Sequence, residues 1–261
     1  MHQLELGSAL ETELKTLNCH VITAEDTDNF VDKADTVSIP SWPEFMMHDT
    51  VANKYWSRMH QKHPQFQFAL VENDSGRWRA VGNSIPVSWQ GSLDELPDEG
   101  WDWAMTSGMM DSNWNMLSAI AIQIHPDFRG KRLSSLMIRI MKAIGKEAGF
   151  SDLIAPVRPN LKHENPAMNM ELYVDWRDEG ILHDPWLRVH EKMGARLIKV
   201  CHQAMHIVGT VKEWKEWTGM TFPATGPYII KGALVPVNID IEKDSGVYVE
   251  PNVWMAHKIN E

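Results

Sequence analysis

Arg129-Gly130-Lys131-Arg132 puts three cations into four residues of a 261-residue chain whose formal net charge is −10. An apolar run of strand length, Met116–Ile124, precedes it. Leu133, Leu136, Met137, Ile140 and Ile144 follow at helical spacing. A basic turn in that place opens a helix N-terminus, whose unpaired N–H groups and partial positive charge hold a phosphate without needing particular side chains. The chemistry implied is anchoring of a phosphorylated ligand; the bland counterpart is a solvated basic turn. His190 is the second such residue. With Trp186, Val189 and Met193 it forms one face of a short helical segment. An inward imidazole that titrates near neutrality can donate or accept a proton, or merely pack.

Both residues need elements to position them. Met116–Ile124 reads as a strand buried on both faces. His125-Pro126-Asp127 breaks it, because proline cannot donate to a ladder. Gly149 is placed to end the following helix, and Leu153–Val157 is a second apolar run. Strand, helix and strand make a βαβ unit with a right-handed crossover. For His190 the frame is Asp184 as N-cap, Pro185 at the first helical position and Gly194 as terminator.

The order HPDFRGK, leucine, amphipathic helix resembles the acyl-CoA-binding segment of the GNAT N-acyltransferase superfamily, whose pattern is Q/R-x-x-G-x-G/A. Arg129 fills the first position, while Arg132 and Ser134 replace the glycine and the Gly/Ala. Val189-His190-Glu191-Lys192-Met193-Gly194-Ala195 is similar to the family's second motif, with His190 where tyrosine is usual. The resemblance covers about residues 19–206. It implies an α/β fold with a mixed β-sheet flanked by helices, a central βαβ acyl-CoA unit and here a C-terminal β extension, 207–261, all in one domain. It implies CoA held by Ile122, Gln123 and Ile124 on the strand and by Arg129, Gly130, Lys131, Arg132, Leu133 and Ser134 at the turn. His190 would protonate the leaving thiolate or hold the thioester. The family's glutamate on the first strand of the unit is missing, since Ala119, Ala121 and Gln123 carry no carboxylate; Asp102, Asp111, Glu171 or water would replace it as base.

Elsewhere the pattern predicts a helix within 1–18, a strand at 20–23, a helix at 25–34, a turn-rich loop at 38–43 around Trp42 and one helix over 44–63. A hairpin follows, with strands 67–72 and 79–89; Gly82 and Pro86 give the second an irregular or edge-facing course. Strands are expected at 197–206, 228–230, 234–241 and 247–254. Two connections are long. Gln90–Asn115 carries Trp101, Trp103 and Trp114 among six carboxylates, and Pro159–Asp184 leads to the His190 helix. Loops of that length are usually functional or disordered, and three tryptophans argue against disorder. These tryptophans are the expected walls of a pocket for a cationic acceptor.

Bulk properties exclude other classes. Two cysteines without C-x-x-C spacing argue against a disulfide framework or zinc site and suit a reducing cytoplasm. No run of about 20 apolar residues spans a membrane, the N-terminus lacks a signal-peptide core, and the acidic balance disfavours nucleic acid. No metal trio, P-loop or serine elbow occurs. The sequence thus predicts acetyl transfer from acetyl-CoA, or another acyl-CoA, to a small-molecule or peptide amine by direct attack in a ternary complex, with a homodimer compatible. The rival is a non-catalytic acyl-CoA-binding regulatory protein; an interaction domain without cofactor is a third reading.

Overall fold

The computed structural model describes residues 4–38 and 42–260; residues 1–3 and 39–41 of the expected N-terminal helix and turn-rich loop lie outside the described residues. In chain order the elements are α1 (Ser8–Thr16), β1 (Cys19–Thr23), α2 (Phe30–Ser38), a 3-10 turn (Glu44–His48), α3 (Thr50–Lys62), β2 (Gln67–Glu72), β3 (Trp78–Val87), α4 (Gly100–Met110), β4 (Met116–Ile124), α5 (Leu133–Glu147), β5 (Asp152–Val157), α6 (Met170–Val174), the short pair β6 (Arg177–Asp178) and β7 (Ile181–Leu182), α7 (Pro185–Lys192), β8 (Arg196–Gly209), α8 (Val211–Thr218), β9 (Gly226–Tyr228), β10 (Val237–Asp240) and β11 (Ser245–Lys258). The helix expected over 44–63 is divided at Asp49, whose carboxylate accepts from the Ala52 N–H and caps α3. Much of the expected loop 90–115 is α4. It is buried on nearly every side, so no amphipathic stripe marks it in the sequence.

β2 shows how the sheet is covered. Phe68 and Leu70 pack beneath α1 and α5, while Ala69 and Val71 pack beneath α2, as the strand's period of two requires. Helices α6 and α7 continue the first layer over β5 and β11, and α3, α4 and α8 continue the second. β3 is an interior strand between β2 and β4, not an edge. Gly82 is needed there because an added Cβ would lie 2.3 Å from the Phe68 ring. Pro86 falls beyond the last rung with β2, Gln67 opposite Asn83, where β4 is the remaining neighbour. At the C-terminal side, β9 and β10 widen the sheet. β11 runs antiparallel between β5 and β8, so residues beyond 206 build the sheet's interior.

Two irregularities in β4 create space. It pairs in parallel with β5 only at Leu117–Leu153 and Ser118–Ile154, and beyond that the strands part. Against β3, the register jumps between Ala121–Asn83 and Ala119–Ser84, leaving Ile120 as an extra residue. Such a bulge re-aims the strand. Leu117, Ala119, Ile122 and Ile124 consequently share the α5 face, and Ile120 turns to the other. Trp101 Nε1 donates to the Ile120 carbonyl at 3.0 Å, satisfying a group the bulge removes from the ladder.

Candidate acyl-transfer site

A cleft of about 1080 Å³ runs through the gap between β4 and β5. One wall is the βαβ turn: Phe128, Arg129, Gly130, Arg132, Leu133, Ser134 and Ser135. Gly130 and Arg132 both have left-handed backbones, at φ 76° and 60°, and among the described residues no side chain caps α5. The N–H groups of its first turn are therefore directed at whatever enters the cleft, a geometry suited to a pyrophosphate. Ala119 to Ile124 supply the strand wall, and Ala155, Pro156 and Val157 face them from β5. Peptide groups left unpaired by the parting can take the amides of an extended arm as a substitute strand.

The opposite end is built by α3 and α4. Ala52, Asn53, Trp56 and Ser57, at helical spacing, join Trp42, Met46, Met47 and Trp101. Asp35 and Glu250 line it too. Glu250 is fully buried, held by Arg158 Nε at 2.9 and 3.0 Å and by the Tyr248 hydroxyl at 2.8 Å. The His206 backbone N–H lowers both the Asp49 and the Asp102 carboxyl, and Asp49 raises Asp102, so the two carboxyls are neighbours, beside the lining residues Ala52, Trp101 and Met205. Asp49 Oδ2 and Asp102 Oδ1 are buried without a hydrogen-bond partner among the described residues. Burial, then Asp49 beside it, pushes the Asp102 carboxyl up to about 8. Burial likewise raises Asp35 and Asp49.

His190 enters the cleft from α7. Asp184 caps that helix, accepting from Trp186 N and Leu187 N, and also receives the Leu161 N–H and the Tyr173 hydroxyl. One carboxylate therefore ties the whole 159–184 connection to the helix start. His190 is 2 % exposed, with Trp186 edge-on at 4.4 Å. Its Nδ1 lies 2.9 Å from His257 Nε2 on β11, and its Nε2 has no hydrogen-bond partner among the described residues. Burial, then His257, holds it well below the usual histidine value.

Of the residues the sequence singles out, the structure gathers Ile122, Gln123, Ile124, Arg129, Gly130, Arg132, Leu133, Ser134, Trp101 and His190 around one cleft. Lys131 instead sits 4.9 Å over the Phe128 ring and is not part of the lining. Trp103 packs half-buried between Trp89 and Trp254 at the margin of the core, and Trp114 against His63 and Lys62; neither lines the cleft. Among the substitute bases, Asp111 accepts from Ser107 and Glu171 pairs with His202, both at the surface. Asp102 alone of the three is next to the cleft wall. Sequence reasoning missed Asp49, Glu250 and His257. They arrive from α3 and β11, and only the fold brings them near His190 and Trp101. No trio of His, Cys, Asp or Glu able to hold a metal occurs among the described residues, nor does a helix long and apolar enough to cross a membrane.

No protein-family model matches the chain. It is 31% identical over 250 residues to arginine N-acetyltransferase avaD of Aspergillus versicolor, covering 84% of this chain and 86% of that one. Among solved structures, it resembles the loading GNATL domain of CurA from Lyngbya majuscula, with a TM-score of 0.58 and 17% identity over 93% of this chain and 98% of that one. It also resembles the GphF GNAT-like decarboxylase in complex with isobutyryl-CoA, with a TM-score of 0.59 and 15% identity over 92% and 98%. The two structural likenesses speak for the fold. The curated relative, aligned over most of both chains, adds the lineage: the chain belongs to the GNAT superfamily and is an acyl-CoA-dependent N-acyltransferase.

Proposed function

We propose that this N-acetyltransferase acetylates a nitrogen of an arginine-like, guanidinium-bearing acceptor. The observation that carries the reading is the acidic character of the cleft: Asp35 and Glu250 line it, Asp49 and Asp102 neighbour Glu250 beside its wall, and Arg158 offsets Glu250 alone. A guanidinium is planar and weakly hydrated, and its fork of donors matches carboxylate pairs. Trp42, Trp56 and Trp101 offer it aromatic faces. The name of the avaD relative fits the same acceptor class. The donor would lie with its pyrophosphate at Arg129–Ser134 and its pantetheine along Ile122–Ile124, delivering the thioester past His190. Holding thioester and nitrogen at contact distance then supplies much of the rate.

The test is free-thiol release from acetyl-CoA with arginine or citrulline as acceptor. Citrulline replaces the guanidinium with a neutral urea of nearly the same shape. Arginine should be favoured by about 100-fold in kcat/KM, since a site built for a cation leaves its carboxyls unpaired with the urea. Equal rates would overturn the acceptor assignment.

A further inference from the structure

We propose that His190 and His257 form a proton relay in which His190 Nε2 accepts the proton of the attacking nitrogen and passes it to the departing sulfur. His257 Nδ1 faces the Met193 carbonyl oxygen at 3.4 Å, and a carbonyl can only accept. The proton of neutral His257 therefore sits on Nδ1, leaving Nε2 bare. That bare nitrogen lies 2.9 Å from His190 Nδ1, so His190 Nδ1 carries the proton and donates it. The opposite arrangement would point the His257 Nδ1 lone pair at the carbonyl. His190 Nε2 is thereby bare, buried and unpartnered among the described residues, on a side chain that lines the cleft. It is organised to take a proton first, which adds an acceptor step ahead of the donor role that the resemblance implies.

The step balances. A neutral acceptor nitrogen attacks the thioester carbon, the N–C bond forms and the C–S bond breaks. The proton released from nitrogen moves to Nε2 and then to the CoA sulfur, and the enzyme ends unchanged. Burial and the neighbouring Lys142 push His257 down to about 4, so the pair does not retain the proton. The charged group that bears on the dyad is Lys142, from α5. His257 is a positioning residue: its bare Nε2 fixes the His190 tautomer and steadies the transient imidazolium.

The relay rests on the acyl-transfer reading, so its test has an arm without turnover. In the full-length protein, ¹⁵N-histidine spectra with His190→Gln as the assignment control should show His190 protonated at Nδ1 and bare at Nε2; a proton on Nε2 would overturn the relay. In the kinetic arm, His257→Leu should lower kcat about 100-fold with an unchanged KM for acetyl-CoA. His257→Gln should restore most of it, because its amide oxygen can accept from His190 and its NH₂ can donate to Met193. Full kcat in a folded His257→Leu protein, or equal loss in both variants, would also overturn it. No thiol release by the parent with any amine would strike the acyl-transfer reading instead, and the tautomer would remain readable.

Discussion

Arg132 carries a conformation that its side chain does not favour. At φ 60° and ψ 19° it is left-handed, a state that costs a non-glycine residue roughly 1–2 kcal/mol. The family's glycine at this position answers that backbone need, and the left-handed turn here shows the replacement kept the geometry and accepted the cost. Arg132→Gly should stabilise the free protein by about 1 kcal/mol, a rise of roughly 2–4 °C in Tm, while CoA affinity measured by calorimetry falls through loss of a cation. Asp102 makes a second prediction. Its carboxyl is raised to about 8 from an ordinary 3.8, so between those values the folded chain binds a proton that the unfolded chain lacks. Stability contributed by this group therefore declines as pH rises from about 4 to about 8 and is level above. Thermal melts of Asp102→Asn should gain on the parent as pH rises through that window. A cationic acceptor needs the ionised carboxyl, so the parent's acceptor KM should fall as pH rises through about 8.

Elements decide which tryptophan matters. Trp103 lies half-buried on α4 between Trp89 and the fully buried Trp254, so Trp103→Ala should cost about 2 kcal/mol, less than loss of a fully buried indole. At a permissive temperature it should leave the acceptor KM unchanged. Asp184 spans two elements: Asp184→Ala removes the cap of α7 and strands the Leu161 and Tyr173 donors. A loss of about 2–3 kcal/mol in urea unfolding is expected, with kcat falling more than the KM for acetyl-CoA because α7 carries His190. These elements were unequally legible in the sequence. β2 and β4 are legible at their observed bounds because a strand covered on both faces shows as a nearly continuous apolar run. The α7 start was legible through Asp184 and Pro185, since capping is local chemistry. α4 was not, because a helix buried all round has no periodicity to detect. The β4 bulge was equally silent: Ile120 is apolar in either register, and only β3 reveals the extra residue. His257 is 67 residues from His190, and no local pattern links a strand histidine to a helix histidine that far upstream.

At the scale of the molecule, the cleft depends on every part of the chain. β4 and β5 form its floor, α3 and α4 its acidic end, α7 its histidine, and β11 supplies both Glu250 and His257. Removing residues 245–261 should leave β5 held only by its two rungs with β4, and β8 unpaired. Such a chain is expected to lack the near-ultraviolet circular dichroism of a packed core and to bind no CoA. The placement of β11 also has a consequence for biosynthesis. A ribosome delivers β5 about ninety residues before the strand that must lie beside it. Throughout that interval Ile154, Ala155 and Val157 sit on an unpaired edge, the state in which nascent sheets aggregate. Closure of the sheet by so distant a segment makes folding slow. Arrested nascent chains should therefore stay protease-sensitive until Lys258 clears the exit tunnel, then become resistant in a single step.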